Sequence, residues 1–315
     1  MTGTLAITGA NGFVGSHLAA LAQEAGHTVI GIGREPSPDD SVARSLDRYL
    51  SADLYQTWPL TEEVDAIVHL AGLAAVGPSF REPQRYISIN SGIITRMGET
   101  LLAEGRRPRI VVVSSGAVYA PPANATPVTE SSPVTYTSPY VVAKLLVESQ
   151  ARYYATRGLD TVIVRPFNHI GPGQSHGFLI PDLISAVRDI AEDDSIAVGN
   201  LDTARDFTDV RDVARAYLEL AFAPDHEHDV YNVATGSART GRDALTAIAR
   251  ALGRAVPRTS VDLARLRPND PPVIIGDSTR LRDEYGWTPT VPWAHSIADR
   301  VGNADGSVDS ETALI

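Results

Sequence analysis

The chain is 315 residues long, 43% hydrophobic and 21% charged, a globular composition with enough apolar side chains for one large core or a core with a smaller partner. It has no cysteine, which excludes disulfides and thiolate metal ligands, and its net charge of −11 argues against general affinity for nucleic acid. MTGTLAITGANGFVG has no basic lead or cleavage site, and no run of about 18 apolar residues occurs anywhere, so a cytoplasmic protein without a membrane segment is expected.

Leu5 to Ile7 is a short apolar run that enters a glycine-rich turn, and His17 to Ala25 then shows helical spacing until Gly26. That order reads as strand, turn, helix. Further strands are predicted at 28–32, 66–70 (AIVHL), 109–113 (RIVVV) and 161–164 (TVIV). None alternates with polar residues, as expected for parallel strands covered on both faces, and helical segments separate them. The expected fold class is α/β, a Rossmann-type doubly wound parallel sheet over residues 1–165. After Pro166 the alternation weakens into loops, with helices near 181–191, 209–222 and 241–252 and a strand at 230–233. This half, 166–300, is expected to form a smaller, interleaved substrate-binding domain ahead of a polar tail at 301–315.

TGANGFVG sets Gly9, Gly12 and Gly15 between the first strand and the first helix, with Asn11, Phe13 and Val14 between them. Glycines there allow a tight turn and let backbone amides approach a pyrophosphate, while the helix N-terminus favours the anion. At the end of the second strand, VIGIGREP lacks the acid that would bond a ribose 2′-hydroxyl and carries Arg34 instead. An arginine there pairs with a 2′-phosphate, which favours NADP(H) over NAD(H). Asp53, ahead of Leu54, is placed either to accept from an adenine amino group or to cap a turn.

Of the 27 basic residues only one is a lysine, Lys144. It lies four residues after Tyr140 in SPYVVAKLLVE, so both share one helical face, where an ammonium can lower the phenol pKa and hold a ribose. Arginine would carry the charge without that compact geometry. RIVVVSSGAVYA ends a buried strand in Ser114 and Ser115, at the edge where open α/β sheets bind ligands. A hydroxyl there can polarise a carbonyl while Tyr140 gives or takes the proton. His226, Glu227 and His228 in PDHEHD have metal-ligating side chains, but they stand in a charged turn-rich loop and are read as solvated.

Taken together, these motifs resemble the extended short-chain dehydrogenases/reductases, the branch acting on nucleotide sugars. The resemblance implies Ser115, Tyr140 and Lys144 as catalytic triad and HLAG, with Leu70, Ala71 and Gly72, as a cofactor-contacting loop. Asn90 falls where the family carries an asparagine on the next helix, and a homodimer built on a four-helix interface is implied. VRPFNHIGPGQ and TARDFTDVRDVARAYL resemble members that reduce a GDP-linked 4-keto-6-deoxyhexose. By that likeness Asn168 contacts the sugar nucleotide, Arg205 its pyrophosphate, and Arg267 with Asp270 the diphosphate and ribose. Dehydratases of the family place an Asp-Glu pair where this chain has Gly116 and Ala117, which disfavours water elimination. An NAD-dependent 4-epimerase would use the same Ser, Tyr and Lys. A non-catalytic NADP-binding protein typically lacks the Tyr or the Lys.

Overall fold

The structure of the chain, a computed structural model, describes residues 2–122, 124–191, 194–266 and 270–302. It opens with β1 (Thr4–Thr8), α1 (Phe13–Glu24), β2 (Thr28–Gly33), α2 (Asp40–Ala43), β3 (Arg48–Ser51) and β4 (Ala66–His69). Next come α3 (Val76–Ser79), α4 (Pro83–Ala103), β5 (Arg109–Val113), α5 (Pro139–Thr156) and β6 (Asp160–Pro166). Then follow β7 (Asn168–Ile170), α6 (Leu179–Asp189), β8 (Ser195–Val198), β9 (Ala204–Asp209), α7 (Val210–Phe222) and β10 (Val230–Val233). Last are β11 (Ala238–Thr240), α8 (Gly241–Ala251), β12 (Arg258–Val261), β13 (Val273–Ile274), α9 (Thr279–Tyr285) and α10 (Trp293–Gly302).

Seven strands form one parallel sheet in the order β10-β6-β5-β4-β1-β2-β3. The predicted Rossmann-type sheet is therefore present, with β3 as a short outer strand that periodicity did not reveal. Alternate residues serve opposite faces. Leu5 and Ile7 pack with Leu18 and Ala22 of α1 and with Val213, Tyr217 and Leu220 of α7. Ala6 belongs to the other layer, with Ile94, Met97 and Leu101 of α4 and Val147 of α5. Burial on both sides is why the strands read as unbroken apolar runs. The chain moves outward from β1 to β2 and β3 and returns on the opposite side with β4, so a crevice opens beyond the carboxyl ends of β1 and β4.

The later half holds more strand than its periodicity suggests. β11, β9 and β13 pair in that order with β7 added on β9, and β8 pairs with β12. β9, ARDFTD, has five of its six residues buried although only two are apolar. Its aspartates hold neighbouring loops instead of packing. Asp206 accepts from Thr235 N at 2.9 Å, Thr235 Oγ1 at 2.7 Å, Gly236 N at 2.9 Å and Gly276 N at 3.3 Å. Burial pushes its carboxyl up, and these donors oppose that shift. Removing the carboxylate strands buried N–H groups, so Asp206→Ala is expected to lower stability by about 3 kcal/mol, read as a lower midpoint in urea unfolding.

Candidate active site

Glycines shape the turn after β1. Gly9 has φ +72°, and its N–H donates to Ile32 O at 2.7 Å. A Cβ on Gly15 would lie 2.3 Å from the Gly9 carbonyl oxygen, so position 15 has no room for a side chain. Gly12 is the N-cap of α1 and no side chain caps that end, which leaves the first-turn N–H groups at Phe13, Val14 and Gly15 for an anion.

The exit of β4 is tied to the same turn. Thr8 Oγ1 accepts from Leu70 N and Ala71 N, both at 3.1 Å, so its own hydrogen goes to His69 Nδ1 at 2.9 Å. That leaves His69 as a neutral Nε2–H imidazole, and burial, with the Lys144 charge nearby, pushes its pKa down to about 3. Asn90 fastens the next step: Oδ1 accepts from Leu73 N at 2.8 Å and occupies the space beside Gly72.

At the far end of the crevice, Arg34 is exposed and its side chain has no hydrogen-bond partner among the described residues. The acid thought missing from VIGIGREP is the next residue. Glu35 turns inward, its Oε2 accepting from Asn11 Nδ2 at 3.1 Å and from the Tyr49 hydroxyl at 3.3 Å. Glutamate at position 35 was legible, but its direction depends on Tyr49, which comes from a different strand. Asp53 caps a turn, Oδ1 accepting from Tyr55 N at 3.0 Å, and Leu54 is buried.

α5 begins where Ser138 Oγ accepts from Val141 N at 3.2 Å and Pro139 takes the first helical position. Tyr140 therefore stands in the first turn, 7% exposed. Lys144 follows one turn later, its Nζ 5.9 Å from the Tyr140 ring centroid and donating to Val113 O at 2.9 Å. Ser115, just beyond β5, accepts from Ala117 N at 3.1 Å, and its hydroxyl is near enough to Tyr140 to lower the phenol pKa. The structure thus brings Ser115, Tyr140 and Lys144 together. It does not lower the phenol pKa: burial holds Tyr140 above its ordinary value, and Ser115 works against that rise. Lys144 is committed to the Val113 carbonyl, and its own pKa is pushed down by burial to about 8.

Asn168 is exposed at the start of β7. His169 beside it stacks on Phe13 with ring centroids 5.8 Å apart, so β7 rests against the glycine turn, a contact that no sequence spacing announces. Arg205 and Asp270 are paired with each other, Nη2 donating to Oδ1 at 2.5 Å, while Arg205 Nη1 donates to Pro271 O at 2.9 Å. Arg267 lies outside the described residues. The PDHEHD segment divides: His226 Nε2 bonds to Asp160 Oδ1 at 3.0 Å, whereas Glu227 and His228 approach Glu284. The Glu284 carboxylate already accepts from Tyr231, Tyr285 and Glu227 N.

Residues 5–234 match the model of the NAD dependent epimerase/dehydratase family. The chain belongs to this family. It is an enzyme of the extended short-chain dehydrogenase/reductase type, as its motifs imply. It is 34% identical over 99% of its length to the whole of a GDP-6-deoxy-D-mannose reductase from Pseudomonas aeruginosa. A UDP-glucose 4-epimerase from Mycolicibacterium smegmatis is 31% identical, with 94% of this chain and 96% of that protein aligned. The solved structure of RMD from Pseudomonas aeruginosa complexed with NADPH superposes with a TM-score of 0.82 at 30% identity, covering 96% of this chain and 99% of that one.

The glycine turn fits the NAD(P) of this family, since the space a Cβ at position 15 would fill lies against backbone and the helix end carries no acid. Gly15→Ala must shift the Gly9 carbonyl. Its expected effect is at least about a tenfold loss of cofactor affinity together with a lower melting temperature, read by fluorescence titration and thermal unfolding.

Proposed function

We propose that this enzyme reduces the C4 ketone of a nucleotide-linked 4-keto-6-deoxyhexose, of the GDP-4-keto-6-deoxymannose type, with NADPH. The observation that carries this reading is the state of Tyr140: buried beside Ser115 and held above its ordinary pKa, it is a protonated donor. Ketone reduction asks for that form. A nicotinamide held by the glycine turn and Lys144 would supply the hydride for the carbonyl carbon. Tyr140 gives its proton to the oxygen that becomes the alcohol, and Ser115 hydrogen-bonds the same oxygen as charge develops there. Lys144, fixed on Val113 O, supplies a positive charge beside the phenol and holds the cofactor ribose. Gly9, Asn11, Gly12, Phe13, Val14 and Gly15, with Leu70, Ala71 and Gly72, line the cofactor. Asn168, and Arg205 with Asp270, face the sugar nucleotide, and Arg267 is its further proposed ligand. The full-length likeness to a GDP-6-deoxy-D-mannose reductase supports the substrate class, and Arg34 together with the NADPH-bound neighbour supports the cofactor.

One observation favours a second reading. The inward Glu35 is suited to the free 2′-hydroxyl of NAD, the cofactor that a 4-epimerase retains and recycles, and epimerases stand among the relatives. Gly116 and Ala117 supply no carboxylates for elimination, so dehydration is set aside. A second copy of the chain is the proposed partner, with α4 and α5, which pack on each other, as its interface.

The two readings separate on a panel of NDP-4-keto-6-deoxyhexoses and NDP-hexoses. Stoichiometric loss of NADPH absorbance with an alcohol product, identified by NMR, is expected; isomer formation without net cofactor change would select the epimerase. Tyr140→Phe is expected to cut turnover by roughly 10² to 10⁴ with cofactor affinity little changed, and wild-type turnover in that variant would end the assignment.

A further inference from the structure

Behind Tyr140 and Lys144 lies a buried charged pair that the chemistry above does not use. Glu148, one turn beyond Lys144, is 1% exposed, and Arg165 of β6 is 4% exposed. Arg165 grips both carboxylate oxygens, Nε donating to Oε1 at 2.8 Å and Nη2 to Oε2 at 2.7 Å. Ser114 Oγ donates to Oε1 at 2.6 Å. The remaining Arg165 nitrogen, Nη1, donates to the Tyr119 hydroxyl at 2.9 Å and to Glu130 O at 3.2 Å, and the Tyr119 hydroxyl donates to Asn232 Oδ1 at 2.6 Å. Both carboxylate oxygens of Glu148 therefore accept from donors other than Lys144.

The same geometry leaves Lys144 short of a counter-ion. Its only hydrogen-bond acceptor among the described residues is a neutral carbonyl, Val113 O. The titratable and charged groups around it are few. On α5 there are Tyr140 and Glu148; on β4 there is His69, which is neutral and adds no charge. Arg152 reaches Glu148 Oε2 at 3.5 Å from the outer side of α5 but is 44% exposed and shared with Asp229. Among the described residues Glu148 is the one carboxylate that acts on Lys144, and Arg165 occupies it.

We propose that Arg165 is a positioning residue that sequesters the charge of Glu148, so that Lys144 stays a weakly compensated cation directed at Tyr140. A carboxylate free to pair with Lys144 would cancel the field the phenol sees and draw Nζ away from Val113 O. A missing carboxylate would leave Arg165 and Lys144 repelling each other through a low-dielectric interior. The bidentate fork also fixes Ser114, and with it the direction in which Ser115 leaves β5. The consequence for catalysis rests on the reading of Tyr140 and Lys144 as the reacting pair; the charge assignment does not.

Because Lys144 is the only lysine, protein labelled with [13Cε]lysine gives a single side-chain resonance whose pH titration reports this group without substrate or turnover. The wild-type midpoint is expected near 8, where burial has brought it. In Arg165→Met, Glu148 turns to Lys144 and the midpoint rises by about one pH unit. In Glu148→Gln the partial support is lost and the midpoint falls by about as much. The double variant, with neither charge, returns close to wild type. Near-UV circular dichroism establishes that each variant is folded. Should Arg165→Met not fold, Ser114→Ala removes only one donor from Glu148 and is expected to move the midpoint upward by a few tenths of a unit. Opposite shifts support the proposal; shifts in one direction, or no shift in folded variants, overturn it. Full activity in Tyr140→Phe would instead overturn the functional reading and leave the lysine titration to be judged separately.

Discussion

The crevice is organised by the hydrogen bond from Lys144 Nζ to Val113 O, 2.9 Å long, which joins α5 to the end of β5. Ser115 lies two residues beyond that carbonyl and Tyr140 one helical turn before that ammonium, so this bond sets the distance between the two hydroxyls. The glycine turn and the β4 exit are joined to one another by Thr8, which spends both lone pairs on Leu70 N and Ala71 N. β1, β4 and β5 are neighbours in the sheet, so the two joints form a continuous edge. A compact ammonium makes this possible. Guanidinium is planar and wider, and could not reach one carbonyl while presenting a point charge to the phenol.

The cofactor end is governed by two adjacent residues of opposite charge. Arg34 is exposed and its side chain has no partner among the described residues, whereas Glu35 is held by Asn11 and Tyr49 beside the glycine turn. Burial and the nearby Glu35 charge together raise the carboxyl of Asp39, a sign that the pocket is already crowded with acid. A 2′-phosphate would add further negative charge there unless Arg34 swings in to meet it. The side chains on which a choice between NADP(H) and NAD(H) would turn are thus an exposed cation and an adjacent anion already held by hydrogen bonds.

How much of this was legible in the sequence follows from how each feature is encoded. Gly9, Gly12, Gly15, Ser115, Tyr140 and Lys144 sit at fixed spacings on regular elements, and a doubly covered sheet writes its strands as apolar runs, so both could be read directly. β9 could not: ARDFTD is buried by virtue of what its aspartates bind, and those partners lie 29 and 70 residues further along the chain. The pairing of Arg205 with Asp270, 65 positions away, was hidden for the same reason. The direction of the Tyr140 shift was hidden because spacing reveals that a cation is near but not that the phenol is closed off from water, and burial raises its pKa against the opposing Ser115 hydroxyl. The outer strand β3 was too short and too polar to show a period.

The chain's use of arginine at every cationic position but one then acquires a physical meaning. Arginine suits Arg165, where a permanent charge and a two-pronged fork are needed to hold a buried carboxylate. It would not suit position 144, where burial brings the group close to neutral pH and a cation able to give up and regain a proton stands beside a phenol kept protonated. The division of labour between Arg165 and Lys144 is therefore one between a planar fork that holds a buried carboxylate and a compact ammonium that stands beside the phenol.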